Sequence, residues 1–309
     1  MAHTAKPTDP AAAPLADAGE PPPIRAIPVR HYGRWLAAAA VLFLLAGLVN
    51  SLIRNPNIGW PTIGEYLFKR VILDGLVTTV WLTAAAMAIG MVGGTIVAIM
   101  RLSSNPVLSV ASWTFIWLFR GTPLLVQILF WGFFGIFYAE LELGIPFTDL
   151  VLWSAPTNQV ITPMVAALLA LGLNEVAYAA EIIRSGIQSV DHGQTEAAHS
   201  LGMSPLQTMR RIILPQAMRV IVPPMGNETI NMLKTTALVS VIAAAEMMTQ
   251  IQRIYSQNYQ TIPLLIVASI WYLVLTSLLS IPQAYMERRY GRGAGRGSGA
   301  LRRLVGGTR

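Results

Sequence analysis

Cysteine is absent from the chain, which removes disulfides, thiolate metal sites and cysteine nucleophiles together. Charge is nearly as scarce: only 12% of the 309 residues are Asp, Glu, Lys or Arg, against about 25% in an ordinary soluble domain. The four histidines are scattered, with no ligand spacing among them. The three lysines are Lys6, Lys69 and Lys234, preceded by Ala, Phe and Leu. A phosphate-binding loop needs Gly immediately before its Lys, so the chain holds no nucleotide site of that kind. No serine nucleophile elbow, HExxH sequence or pair of catalytic carboxylates occurs either. The chain is expected to carry no catalytic residue, no metal and no cofactor of its own.

What the sequence does have is apolar residues, 54% of the total. With so little charge, that composition points to a membrane protein. A bilayer span needs about 20 mostly apolar residues. Six runs qualify, at 35–53, 76–100, 122–139, 160–183, 217–245 and 262–282. The fifth is interrupted by Pro223-Pro224, where a kink or partial unwinding is expected. The fold class is therefore all-α and polytopic, with six predicted transmembrane helices.

The net charge of +7 would suit a nucleic-acid binder, but its distribution suits a membrane topology. With the N-terminus inside, the inner segments hold seventeen Lys and Arg, and the outer segments hold four: Arg54, Lys69, Arg70 and Arg253. The positive-inside rule then places both termini, and the long loop after the fourth run, in the cytoplasm. Residues 1–30, rich in Pro and Ala, read as a disordered cytoplasmic tail rather than a cleaved signal. Residues 31–70 read as an extra first helix with an external segment, and 71–285 as one transmembrane domain. Residues 286–309 read as a flexible basic tail lying near anionic lipid.

Between two of the most hydrophobic runs lies the polar stretch EAAHSLGMSPLQTMRRIILPQA, residues 196–217. It predicts two short helices. The first covers about 193–201 and stops at Gly202, a natural left-handed terminator. The second restarts with Ser204 as N-cap, Pro205 in the first turn and Gln207 completing a capping box. Leu206, Met209 and Ile213 fall on one face of it, Arg210 and Arg211 on another, and Pro215 is expected to end it.

This stretch resembles the EAA motif of importer-type ABC permeases at every fixed spacing. Glu196-Ala197-Ala198 is followed after three residues by Gly202, then after nine by Ile212, then by Leu214-Pro215. The segments FRGTPLLVQ (119–127), AYAAEIIRSGIQSV (177–190) and LKTTALVSVI (233–242) are similar to the polar amino acid permeases in particular. The resemblance covers roughly 70–285. It departs at Asp191-His192, where many members have Pro-Lys, and at Lys234-Thr235-Thr236-Ala237, where many have Lys-Asp-Thr-Ser. The likeness implies an ABC permease core in the cytoplasmic membrane whose loop 191–216 couples it to a separate ATPase. Glu196, Ala197, Ala198, Gly202, Arg210, Arg211, Ile212, Leu214 and Pro215 form that loop's coupling set. It also implies ABC ATPase subunits that bind the ATP and Mg, a second permease copy or homologue, an extracytoplasmic solute-binding protein and a polar amino acid as cargo. A secondary transporter is the alternative, but it calls for inverted repeats and no partner loop.

Ionisable and polar residues inside spans mark candidate solute contacts, because burying them is costly. The fourth run offers Asn174 and Glu175, and the fifth Asn227, Glu228, Asn231 and Lys234. Asn227, Asn231 and Lys234 repeat at helical spacing. Glu181 is expected to pair locally with Arg184. A buried Glu175–Lys234 pair between the two spans is the structural alternative to solute recognition, and helix-to-helix bonding is the alternative for the asparagines.

Overall fold

The computed structural model describes residues 32–145, 148 and 150–290, which divide into two compact units at Asn55 and Pro56. The tail expected over 1–30 lies outside the described residues, as does all of the C-terminal tail beyond Tyr290. In the first unit the run at 35–53 forms helix α1, Tyr32–Arg54.

The second unit begins with a 3-10 turn, Pro56–Ile58, followed by α2 (Trp60–Leu67), α3 (Arg70–Leu102), α4 (Pro106–Gly121), α5 (Leu124–Gly132) and α6 (Phe134–Phe137). A hairpin of β1 (Glu140–Gly144) and β2 (Val151–Pro156) leads through α7 (Thr157–Val160) to α8 (Pro163–Gln188). Next come α9 (His192–Ser200), α10 (Pro205–Thr208), a π turn at Met209–Ile213 and α11 (Leu214–Thr235). A 3-10 segment, Thr236–Ile242, then leads to α12 (Met247–Asn258) and α13 (Thr261–Tyr290). Among the described residues, α1, α3, α8 and α13 are each long and apolar enough to cross a membrane. Two bent groups add a broken span or a re-entrant loop each: α4 with α5, bent by 100°, and the run from α10 to the 3-10 segment with α12, bent by 46°.

Three expectations change. The run at 122–139 is not one helix. It is divided between α5 and α6, and α4, which had read as a loop, supplies the longer arm of the bend. Thr122 and Pro123 are both extended, so the chain turns sharply there. The Pro223-Pro224 pair lies inside a continuous α11. The Pro223 carbonyl accepts a hydrogen bond from Gln283 Nε2 of α13 at 2.8 Å, so a neighbouring helix holds the proline-bearing turn in place. Unwinding comes later, in the 3-10 segment at Thr236. Finally, α13 continues to Tyr290, so 286–290 belong to a helix rather than to the basic tail.

Helices α3 and α8 pack closely because α3 carries small residues at every fourth position. Ala86, Gly90, Gly94 and Ala98 are all buried. This spacing lets backbones approach in a membrane, where apolar side chains alone give little drive to associate. A Cβ on Gly94 would lie 2.6 Å from the Cβ of Ala179. One cluster of buried residues joins Leu82 and Met87 of α3, Ile128 of α5, Leu171 of α8 and Met232 of α11. A second joins Ile58 and Ile63 to Ile72, Met247, Ile251 and Leu264. Ile58 and Ile63, from the stretch that read as an external segment after the first helix, thus pack into one core with α3, α12 and α13.

Glu246 is fully buried and caps α12. Its carboxylate accepts from the backbone N–H groups of Met248 and Thr249, both at 2.8 Å. The hydroxyls of Thr79 and Tyr272 each lie 3.2 Å from its Oε2. One carboxylate therefore joins α3, α12 and α13.

Candidate functional site

Helices α8 and α11 face each other across a cavity of about 520 Å³, closed on a third side by the break between α4 and α5. Glu175 enters it from α8. Its side chain occupies the space that Gly90 leaves on α3, where a Cβ would overlap the Glu175 chain. Glu175 is only 2% exposed, and its Oε1 has no hydrogen-bond partner among the described residues. A buried carboxylate oxygen without a donor is costly, so such a group calls for an explanation in its surroundings. Glu228 and Asn231 line the same cavity from α11, and Asn174 and Tyr178 line it from α8.

The α4–α5 break is held by side chains. Gln127 Nε2 lies within hydrogen-bonding reach of the Phe119 carbonyl at 2.8 Å, the Thr122 carbonyl at 3.1 Å and Thr122 Oγ1 at 2.8 Å. Asn174 Nδ2 donates to the same Phe119 carbonyl at 3.0 Å and to Gln127 Oε1 at 3.2 Å. Carbonyls freed by the bend thus receive donors from both α5 and α8. This fixes Arg120 at the cavity, with its guanidinium 5.2 Å from the centre of the Tyr178 ring.

Of the six solute candidates read from the sequence, the structure brings together Asn174, Glu175, Glu228 and Asn231. Asn227 and Lys234 do not line the cavity, and both are exposed. The wall contributed by α11 is Glu228, Asn231, Met232 and Thr235, which keeps helical spacing but in a phase turned from the expected stripe. The Glu175–Lys234 pair does not form. Among the described residues the ion pairs are Lys69–Glu65, Arg70–Asp74 and Arg184–Glu181. The last of these is the expected local pair, with Arg184 Nε 3.0 Å from Glu181 Oε2. The cation at the cavity is Arg120, which sequence reasoning did not single out. Its signal was the FRGTPLLVQ segment, in which Gln127 also proves structural.

The loop 191–216 follows most of its expected geometry. Asp191 caps α9 by accepting from Gly193 N at 2.7 Å. Gly202 has φ +75°, and the helix ends in paired bonds from Gly202 N to His199 O (2.9 Å) and from Met203 N to Ala198 O (3.1 Å), the arrangement of a glycine terminator. The capping box is present, with Ser204 N donating to Gln207 Oε1 at 3.0 Å. Pro215, however, does not end the second helix. The π turn at Met209–Ile213 shifts the hydrogen bonding just before it, and the chain runs on into α11. A proline is accepted at such a point because its missing N–H coincides with an altered ladder. Glu196, Ala197, Arg210, Arg211, Leu214 and Pro215 are exposed, Ile212 is half-buried and Ala198 is buried. Ala198 therefore packs inside the loop rather than on its outer surface. Leu206, on the face that also holds Met209 and Ile213, is 77% exposed, and Leu201 is 82% exposed. Two bare leucines thus flank Gly202 at the turn.

Comparison with known proteins gives a consistent result. Residues 90–292 match the family model described as the binding-protein-dependent transport system inner membrane component. The arginine transport system permease protein of Corynebacterium glutamicum is 46% identical, over 92% of this chain and 88% of its own. The nopaline transport system permease protein of Agrobacterium fabrum is 38% identical, over 68% of this chain and 83% of its own. A crystal structure of an amino acid ABC transporter with histidines superposes with a TM-score of 0.60 at 38% identity, covering 72% of this chain and 95% of that one.

Proposed function

This chain belongs to the family of binding-protein-dependent transport system inner membrane components, and on that premise we propose that it conducts a cationic amino acid through the cavity between α8 and α11. It is a multi-pass membrane protein and the permease component of an amino acid ABC importer. Its loop 191–216 docks on a separate ATPase, which binds ATP and Mg. A second permease copy or homologue completes the pathway, and an extracytoplasmic binding protein delivers the solute. Both termini lie on the cytoplasmic side together with the loop. At that loop, Leu201 and Leu206 offer apolar contacts, and Arg210 and Arg211 meet acidic or carbonyl groups of the ATPase.

The observation that carries the choice of solute is the buried, unpartnered Glu175 oxygen. The ionisable residues around its cavity are Glu175, Glu228 and Arg120. With both carboxylates ionised they sum to one negative charge. An amino acid with a cationic side chain carries one excess positive charge and balances that sum. Its α-carboxylate has Arg120 to meet, and its two cationic groups have Glu175 and Glu228. The resemblance to a permease named for arginine agrees with this charge balance.

The test is competition uptake with arginine, glutamine and glutamate. Removing one charged partner of a charge-assisted hydrogen bond typically costs about ten-fold or more in affinity. Glu175→Gln should lower arginine uptake by about that factor, and glutamine uptake by much less, with the protein still present at normal level. Unchanged preference accompanied by reduced protein would mean that Glu175 serves folding only, and the recognition reading would fail.

A further inference from the structure

A second cavity, of about 480 Å³, adjoins the first and shares Arg120 and Tyr178 with it, but its charge is opposite. Three guanidinium groups line it: Arg101 from the last turn of α3, Arg120 from the end of α4 and Arg184 from near the end of α8. The one carboxylate there, Glu181, is already engaged by Arg184. Arg101 donates to Ser109 Oγ at 2.9 Å. Among the described residues neither Arg101 nor Arg120 takes part in an ion pair. The formal sum is two positive charges in one concavity. Glu181 offsets only one of the three guanidinium charges, and the excess positive charge favours a further anion beside Arg101 and Arg120.

Position says which anion. Arg101 and Arg184 lie near the ends of spanning helices, on the side where α8 runs directly into the loop 191–216. Trp113 and Trp117 also line the cavity, stacked with centroids 6.2 Å apart and about half to two-thirds exposed. Exposed tryptophans on a membrane domain mark the level of the lipid headgroups. Basic pockets between spanning helices at that level take phosphate-bearing headgroups.

We propose that this cavity binds the phosphate diester headgroup of an anionic phospholipid, held by Arg101 and Arg120 with the glycerol end against Trp113 and Trp117. The site adjoins the solute cavity and shares Arg120 with it, whereas Arg101 belongs to the lipid site alone.

The proposal is tested by native mass spectrometry of the purified full-length chain in detergent with equal amounts of phosphatidylglycerol and phosphatidylcholine. The parent should retain phosphatidylglycerol several-fold over phosphatidylcholine. Arg101→Gln should weaken that retention about five-fold, the worth of one basic residue at an anionic lipid surface. Arg101→Lys should restore most of it, and Arg219→Gln, an exposed arginine outside the cavity, should leave it unchanged. Monodispersity on gel filtration checks that each variant is folded. Three results would each overturn the proposal: no headgroup preference in the parent, equal loss in Arg219→Gln, or displacement of the lipid by inorganic phosphate at equal concentration, which would make the ligand a free anion.

Discussion

Gly202→Val should remove most ATP-coupled uptake while leaving membrane insertion intact. Gly202 sits at φ +75°, and a Cβ built on it meets nothing within 4 Å. Space is therefore not the obstacle; the obstacle is the backbone conformation. A side chain in the left-handed region costs about 1–2 kcal/mol, and a β-branched one fits it worst. The native turn would lose about ten-fold or more in population. The two hydrogen bonds that close α9, from Gly202 and Met203, depend on that turn, as does the placement of Leu201 and Leu206 on either side of it. Uptake should fall by about ten-fold, together with co-purification of the ATPase. Gly202→Asn, which tolerates positive φ, should keep most of both. If the valine variant couples hydrolysis to uptake like the parent, the docking role of this loop is wrong.

Glu246→Ala should be the most destabilising single change in the transmembrane core. Alanine would leave the N–H groups of Met248 and Thr249 without their cap and remove the acceptor facing Thr79 and Tyr272. The site is fully buried, so water cannot replace the lost partner without opening the packing. The expected loss is about 3 kcal/mol, from two unsatisfied backbone donors and one lost side-chain junction. Glu246→Gln keeps an amide oxygen for one of the two backbone donors and should lose only about half as much. Denaturant titration of the purified chain, followed by helical signal, reads both. A midpoint for Glu246→Ala equal to the parent's would mean that the junction contributes nothing to stability.

Local rules carried the sequence reading where the chain itself decides the structure. The Ser204–Gln207 capping box, the left-handed Gly202 and the Glu181–Arg184 pair each involve residues within a few positions of one another, and each is present. The rules failed where a distant element supplies what the local chain lacks. Pro223-Pro224 looked like a break, but the helix continues through it, tied to α13 by Gln283. The run at 122–139 looked like a single span, but Gln127 and Asn174 stabilise the carbonyls of a sharp bend. Pro215 looked like a stop, and a π turn absorbs it. The cavity between α8 and α11 shows the same division. Helical spacing identified α8 and α11 as the lining helices, but the phase of α11 is set by its packing against α3, α8 and α13. That phase turns Lys234 away and leaves Arg120, on another helix, as the cation at the cavity.

The central claim is that ATP hydrolysed on another chain, docked at the loop 191–216, drives solute through the α8–α11 cavity. Its most direct test is arginine uptake by proteoliposomes carrying the assembled transporter and its binding protein, with the membrane potential clamped. Uptake is expected with ATP at the loop side, none with a non-hydrolysable analogue, and about ten-fold less when Gly202→Val replaces the parent chain. Uptake that continues without ATP and follows an imposed potential or ion gradient would contradict it, and would make the protein a secondary transporter.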